Sequence, residues 1–284
     1  MSVFGLENIF ENASITTILD LDTELKITSF NIGGVIRKGD GYASLREFLN
    51  RHKKSNYIAM QEFPKNIDDE VCHIFDEYGF EFITGKPDKH VVTAIHKKTR
   101  NNMIVFDSEN DLEQNNFYAI FDKQNKITII NTYIPNRHTQ KYGCPVTTIE
   151  KLFDFLLDIP NVKEQKILLC GDFNAPLWYQ YYEDSATLGW CSNEQRIFKQ
   201  KISNMIIDLM KLAHLEDLGA RNNNIHTTFG GTKHNTARID YFLSNMPGAS
   251  YVDLNNYKSQ HKAIVCYVFD KVINEYSCWN SIST

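Results

Sequence analysis

Lys166–Leu177, KILLCGDFNAPL, decides how the rest of the chain is read. Ile167 to Cys170 form an unbroken apolar run of strand length, the pattern of a strand covered on both faces. The run ends in Gly171, then sets Asp172 and Asn174 on either side of Phe173 before Pro176 breaks the chain. A buried strand that stops at an acid and an amide delivers polar atoms to a sheet edge, where binding sites gather.

The same grammar recurs outward from that segment. Lys26–Asn31 (KITSFN) runs into Ile32-Gly33-Gly34, Tyr57–Gln61 (YIAMQ) into Glu62, and Lys126–Tyr133 (KITIINTY) into Ile134-Pro135-Asn136. Val91–His96 (VVTAIH), Arg238–Leu243 (RIDYFL) and His261–Phe269 (HKAIVCYVF) add three more strands. Asp240 stands near the start of one, and Ser259-Gln260-His261 opens the last. Between the strands, Tyr42–Lys53 places Leu45, Phe48 and Leu49 on one helical face. Thr147–Leu157 does so with Ile149, Leu152, Phe153 and Leu156, taking Thr147 or Thr148 as N-cap. Asn193–His214 carries Ile197, Ile202, Met205, Ile206, Leu209 and Leu212 at helical spacing. Strands interleaved with few helices predict an α/β (α+β) fold of layered sheets covered by helices. No linker or repeat divides the chain, so one domain is expected over residues 26–270. An N-terminal extension (1–25) and a C-terminal tail (271–284) flank it.

Bulk composition narrows the class of protein only a little. Hydrophobic residues at 42% and charged residues at 23% of 284 describe a folded globular chain. Six cysteines without C-x-x-C spacing argue against a disulfide framework or a structural zinc site. Cys170 and Cys266 lie in apolar runs as small hydrophobes. Glu7, Asn8, Glu11 and Asn12 interrupt any signal-peptide core, and no apolar run approaches membrane-spanning length. The expectation is an intracellular protein, cytoplasmic or nuclear, not secreted, without a membrane partner and monomeric. A net charge of −5 does not advertise nucleic-acid binding, but it does not exclude a local basic groove.

Taken singly, each polar strand end is ordinary: an Asn there is usually a turn former, and a Gln-Glu pair usually meets solvent. Their collection is not ordinary. Carboxylates, amides, a tyrosine and a histidine converging on one edge make a hard-oxygen site suited to Mg²⁺, and unsuited to softer metals.

In order and context, Ala59-Met60-Gln61-Glu62, Tyr133-Ile134-Pro135-Asn136, Gly171-Asp172-Phe173-Asn174, Arg238-Ile239-Asp240-Tyr241 and Ser259-Gln260-His261 resemble the endonuclease/exonuclease/phosphatase superfamily. That superfamily includes DNase I, exonuclease III and apurinic/apyrimidinic endonucleases. The Tyr-Ile-Pro-Asn segment is similar to the apurinic-endonuclease branch. Gly171–Leu177, the long helix after it and Thr228-Phe229 are similar to the endonuclease domains of LINE-type non-LTR retrotransposons. The resemblance implies a four-layered α/β sandwich, two mixed β-sheets packed face to face and flanked by helices. It implies a Mg²⁺-dependent endonuclease, Mn²⁺ substituting, that nicks DNA to leave a 3′-hydroxyl.

Residue by residue, the resemblance makes Glu62 the principal metal ligand with Asn31 beside it. Asp172 would activate water and Asn174 orient it. Tyr133 and Asn136 would bind the phosphate or assist the leaving oxygen, and His261, held by Asp240, would contact the scissile phosphate. Thr228 and Ser259 would be supporting substrate contacts. Gln260 stands where the superfamily has a metal-proximal Asp, which removes a charge from the cation's surroundings. Arg137, Lys141, Lys233 and Arg238 are candidates for a basic groove rim. Two other readings stand beside this one. The same fold could act on RNA, abasic DNA, or a phosphorylated small molecule or lipid. With Gln260 disabling, it could be a nucleic-acid-binding module.

Overall fold

Residues 25–64, 67–83, 90–106, 116–139, 143–177, 193–220, 227–229 and 238–269 are described by a computed structural model. The expected extension, apart from Leu25, and the expected tail lie outside these residues, as do Lys141 and Lys233.

Each polar-ended run becomes a strand. In the first sheet β1 (Leu25–Asn31) pairs in parallel with β2 (Tyr57–Gln61), and the crossover between them carries helix α1 (Ala43–His52). Helix α2 (Asp69–Glu77) and strands β3 (Phe80–Phe82) and β4 (Val92–His96) follow. In the second sheet β5 (Met103–Phe106) and β6 (Phe117–Asp122) precede β7 (Ile127–Tyr133). Helix α3 (Pro145–Leu157) then crosses to β8 (Lys166–Asp172), parallel to β7. Helix α4 (Asn193–Leu212), β9 (Glu216–Asp217) and β10 (Asp240–Ser244) complete that half, while β11 (Gly248–Val252) and β12 (Ile264–Val268) return to the first sheet. The strand orders are β11-β12-β1-β2-β4-β3 and β5-β6-β7-β8-β10-β9. Both are mixed six-stranded sheets with one central parallel pair.

The layers follow from which faces are apolar. Ile27, Tyr57, Ala59, Ile129, Leu168, Cys170, Phe242 and Cys266 fill the space between the sheets. Leu45, Phe48 and Leu49 of α1, with Val71, Ile74 and Phe75 of α2, cover the first sheet's outer face. Ile149, Leu152 and Leu156 of α3, with Ile202, Ile206 and Leu209 of α4, cover the second's. Each such fully buried side chain contributes about 1.5–3 kcal/mol. The result is the expected four-layered α/β sandwich. Burial pushes the Cys170 thiol up to about 12 and raises that of Cys266, so both act as packing groups.

Several expectations need correction. Helix α3 starts two residues earlier than Thr147, with Pro145 at its first turn; Thr148 is buried and its hydroxyl bonds back to the Cys144 carbonyl. Ile197 is 64% exposed, so it does not share the apolar face of α4. Ser259-Gln260-His261 precedes the last strand as a loop, because that strand begins only at Ile264.

Two devices hold the strand ends in register near one edge. Gly171 has φ of 139°, and a Cβ there would lie 1.8 Å from the Thr132 carbonyl oxygen, so only glycine lets β7 and β8 meet so closely. Just inside Glu62, the buried Gln61 amide donates to Asn131 Oδ1 at 2.6 Å and to Ser29 Oγ at 3.1 Å. Asn131 in turn donates to the carbonyls of Met60 and Val92. This polar bridge ties the two sheets together directly below the site.

Candidate active site

The C-terminal ends of the two parallel pairs face each other. Asn31 closes β1 in register with Gln61, and Tyr133 closes β7 in register with Asp172. The Asn31 amide sits between the halves: its Nδ2 donates to Glu62 Oε1 at 3.0 Å and to Asp172 Oδ2 at 2.9 Å, while its Oδ1 accepts from Gly33 N at 3.0 Å. A Cβ on Gly33 would approach that Oδ1 to 3.1 Å and Glu62 Oε2 to 3.2 Å, so the glycine backbone forms part of the wall. Glu62 and Asn174, each just beyond a central strand, have φ of 52° and 51°. Non-glycine residues adopt this left-handed backbone rarely, and it turns the chain sharply at the site.

Asp172 is fully buried. Its carboxylate accepts from Asn174 N at 2.9 Å and from Asn174 Nδ2 at 3.2 Å, and the same Nδ2 reaches the Ile134 carbonyl at 3.0 Å. Asp240, opposite Asp172 across β8 and β10, accepts from His261 Nδ1 at 3.0 Å. His261 Nε2 then lies 3.7 Å from Asp172 Oδ2. Burial raises the Asp172 pKa despite the lowering effect of the nearby His261 ring, and the Asp240 charge adds to the rise. Burial alone would lower the His261 pKa, but the carboxylates of Asp240, Asp172 and Glu62 outweigh it and hold the ring as imidazolium.

Two poles result. Asp172, Asp240 and His261 bring donor atoms within 4.8 Å of one another. His261, bonded to Asp240 through Nδ1 and facing Asp172 through Nε2, makes this pole an acid–histidine–acid array. The other pole, half-exposed Glu62 with the Asn31 amide, offers hard oxygen donors that fit a divalent cation of the Mg²⁺ type.

The remaining predicted residues fall into place unevenly. Tyr133 is buried at the end of β7, and Asn136 and Arg137 are exposed in the loop after it. Ser259 is buried, its hydroxyl donating to the Asn31 carbonyl at 2.8 Å and accepting from His261 N at 3.1 Å. It braces the site from inside rather than presenting a substrate contact. Thr228 forms a β-bridge with His261, and Gln260 is exposed, its carbonyl accepting from Phe229 N. The Gln260 side chain takes no part in the hydrogen bonds that join Asn31 to Glu62 and Asp172 or His261 to Asp240.

Arg238 is not on the rim. It is buried, its guanidinium forks onto Asp217 at 2.5 and 2.6 Å, and it lies over the Tyr241 ring. Removing either partner of such a buried pair costs about 3–5 kcal/mol, so this arginine is structural.

Two contributors were not legible. The buried Thr227 hydroxyl accepts from the backbone N–H groups of Ile239 and Asp240, fixing the carboxylate that holds His261. Lys199 of α4 donates to Asn136 Oδ1 and to the Asn174 carbonyl. The helical pattern sets Lys199 on the sheet-facing side of α4, ahead of Ile202 and buried Ser203, but it does not specify the partners of the ammonium.

The two facing six-stranded sheets and their flanking helices form a four-layered α/β sandwich that solved structures share. No family profile matches the sequence, and no curated protein does. Solved structures do. An AP endonuclease from Archaeoglobus fulgidus superposes with a TM-score of 0.62 at 19% identity, covering 87% of this chain and all of its own. The 3′ phosphatase NExo from Neisseria, bound to a product DNA hairpin, gives 0.60 at 17%, with coverage of 87% and 100%. The endonuclease domain of TRAS1, a telomere-specific non-LTR retrotransposon, gives 0.54 at 13%, with coverage of 86% and 98%. At these identities the likeness establishes the fold.

Proposed function

We propose that this protein is a divalent-metal-dependent phosphodiesterase that nicks DNA. The observation that carries the proposal is the convergence of Glu62, Asn31, Asp172, Asn174, Asp240 and His261 from both sheets into one hydrogen-bonded edge. Glu62, with Asn31 beside it, would hold the cation, Mg²⁺ with Mn²⁺ as substitute. Bound there, it would neutralise charge on the phosphate oxygens.

The chain's own groups supply the rest. Asp172, whose raised pKa suits proton transfer near neutrality, takes a proton from the attacking water, and Asn174 orients that water. The water oxygen bonds to phosphorus as the bond to the 3′ oxygen breaks, and the leaving 3′ oxygen takes a proton from solvent water, giving a 5′-phosphate and a 3′-hydroxyl. His261 donates from Nε2 to a non-bridging oxygen, with Nδ1 anchored by Asp240. The exposed Asn136, following buried Tyr133, binds the flanking phosphate. Arg137, exposed beside it, is the described cation of the proposed rim.

The solved relatives named above act, by their descriptions, as an AP endonuclease, a 3′ phosphatase on DNA and a retrotransposon endonuclease. They support nucleic acid over a lipid or small phosphoester. The test is incubation with supercoiled plasmid, an abasic duplex and single-stranded RNA, each with Mg²⁺ or EDTA. Metal-dependent cleavage of DNA is the expected result. Cleavage of RNA alone would replace DNA as the substrate, and inertness toward all three would remove the nuclease reading.

A further inference from the structure

We infer that Lys199 is a positioning residue for the phosphate end of the site: it fixes the Asn136 amide with its NH₂ toward the substrate and supplies positive charge beside it. This inference rests on the nuclease reading and names a part of the site that none of the sequence motifs contains.

The geometry carries the argument. Lys199 Nζ donates to Asn136 Oδ1, so the amide oxygen is held by the ammonium and the NH₂ end is turned away from it. An NH₂ has two donors and no acceptor, the polarity an anionic phosphate oxygen requires. The same Nζ donates to the carbonyl of Asn174, the left-handed residue whose N and Nδ2 both grip Asp172. One ammonium therefore couples the loop after β7 to the loop after β8. One turn on, Ser203 donates to the Pro176 carbonyl, and Ile202 and Ile206 bury the flanking face of α4. The helix holds the lysine in place through this docking.

Charge supplies a second reason. Glu62, Asp172 and Asp240 line the site, opposed there by the His261 imidazolium. A polyanionic backbone approaching such an edge needs cations beyond one ring and one metal. Lys199 is half-buried between the Asn136 amide and the Asn174 carbonyl, so its charge is held rather than freely mobile.

The experiment measures binding of a labelled duplex oligonucleotide in EDTA across a potassium chloride series, and Mg²⁺-dependent cleavage of the same duplex. The proteins are wild type, Lys199→Gln, Lys199→Arg, Asn136→Ala and the Lys199→Gln/Asn136→Ala double variant, each with a thermal melt. Lys199→Gln is expected to lower the slope of log affinity against log salt by about 0.9 and to raise KM about tenfold with a smaller change in kcat. Lys199→Arg should restore the slope. The double variant should be little worse than the poorer single one, because the two residues act as a unit. Wild-type slope and affinity in Lys199→Gln would overturn the proposal. So would a loss of binding that tracks a fall in melting temperature and that arginine does not rescue. Wild-type protein that neither binds nor cleaves the duplex would instead overturn the nuclease reading, and the Lys199 inference with it.

Discussion

The two halves of the molecule are built alike and end differently. Each has a parallel pair joined by a crossover that carries a helix, β1-α1-β2 and β7-α3-β8, flanked by antiparallel strands. Each pair ends in a polar residue on one strand and a carboxylate on or just past the other. In the first half the acid, Glu62, lies one residue beyond its strand and stays half-exposed. In the second the acid, Asp172, is the last residue of its strand and fully buried. A shift of one residue separates a carboxylate that stays within reach of solvent from one whose pKa burial raises. Asn31 touches both, so the two chemistries share one amide.

Breaking the buried half should cost most. Asp172→Asn keeps the volume and the acceptor for Asn174 N–H but removes the proton acceptor. Cleavage should fall by about 10²–10⁴ at any metal concentration, with the melting temperature held or raised. Steady-state rates and a thermal melt together check this.

The partner of His261 comes next. Asp240→Asn removes the carboxylate that does most to raise the ring's pKa, and cleavage should fall about a hundredfold at neutral pH. The sign follows from linkage. The stability that a histidine with a raised folded pKa contributes is fully present below its unfolded value of about 6.5, and both that stability and the ring's positive charge are lost as pH rises through the raised value. The variant should therefore lose the imidazolium at lower pH than wild type. NMR titration of the ring and the alkaline limb of the rate profile read the shift.

On the exposed half the expected effects are smaller and tunable. Glu62→Gln should raise the half-saturating Mg²⁺ about tenfold or more, a factor of ten corresponding to ~1.4 kcal/mol, with cleavage recovering in part as metal is increased. Gln260→Asp should move the same midpoint the other way, by up to about tenfold, and change the maximal rate little. Native protein that is inert at high metal and switched on by Gln260→Asp would make the glutamine a disabling residue and favour the binding-module reading.

What the sequence made legible follows the same division. Strand ends such as Gln61-Glu62 and Gly171–Asn174 are written as an apolar run meeting polar residues, so both the central strands and the site could be read from them. Edge elements carry no such contrast: Phe80–Phe82 is three residues long, and Glu216–Asp217 has no apolar face. Helix α2 leaves only a weak pattern although Asp68 caps it and Val71, Ile74 and Phe75 face the core, because its nine residues span barely more than two turns. Phe117–Asp122 bears an apolar run as long as the others, yet no site residue marks its ends. Arg238, Lys199 and Thr227 show the limit most sharply. Whether a cation or hydroxyl faces a buried acid, an amide or solvent depends on chain segments far away in sequence, and nothing local encodes it.

On the proposed reading, one edge assembled from both sheets hydrolyses DNA with a divalent cation. Supercoiled plasmid incubated with wild-type protein and with Asp172→Asn, each in Mg²⁺ and in EDTA, tests it directly. Wild type should give nicked circles in Mg²⁺ and none in EDTA, and Asp172→Asn should give at most about a hundredth of the wild-type nicking in Mg²⁺. Equal nicking by wild type and Asp172→Asn, or nicking that persists in EDTA, would contradict it.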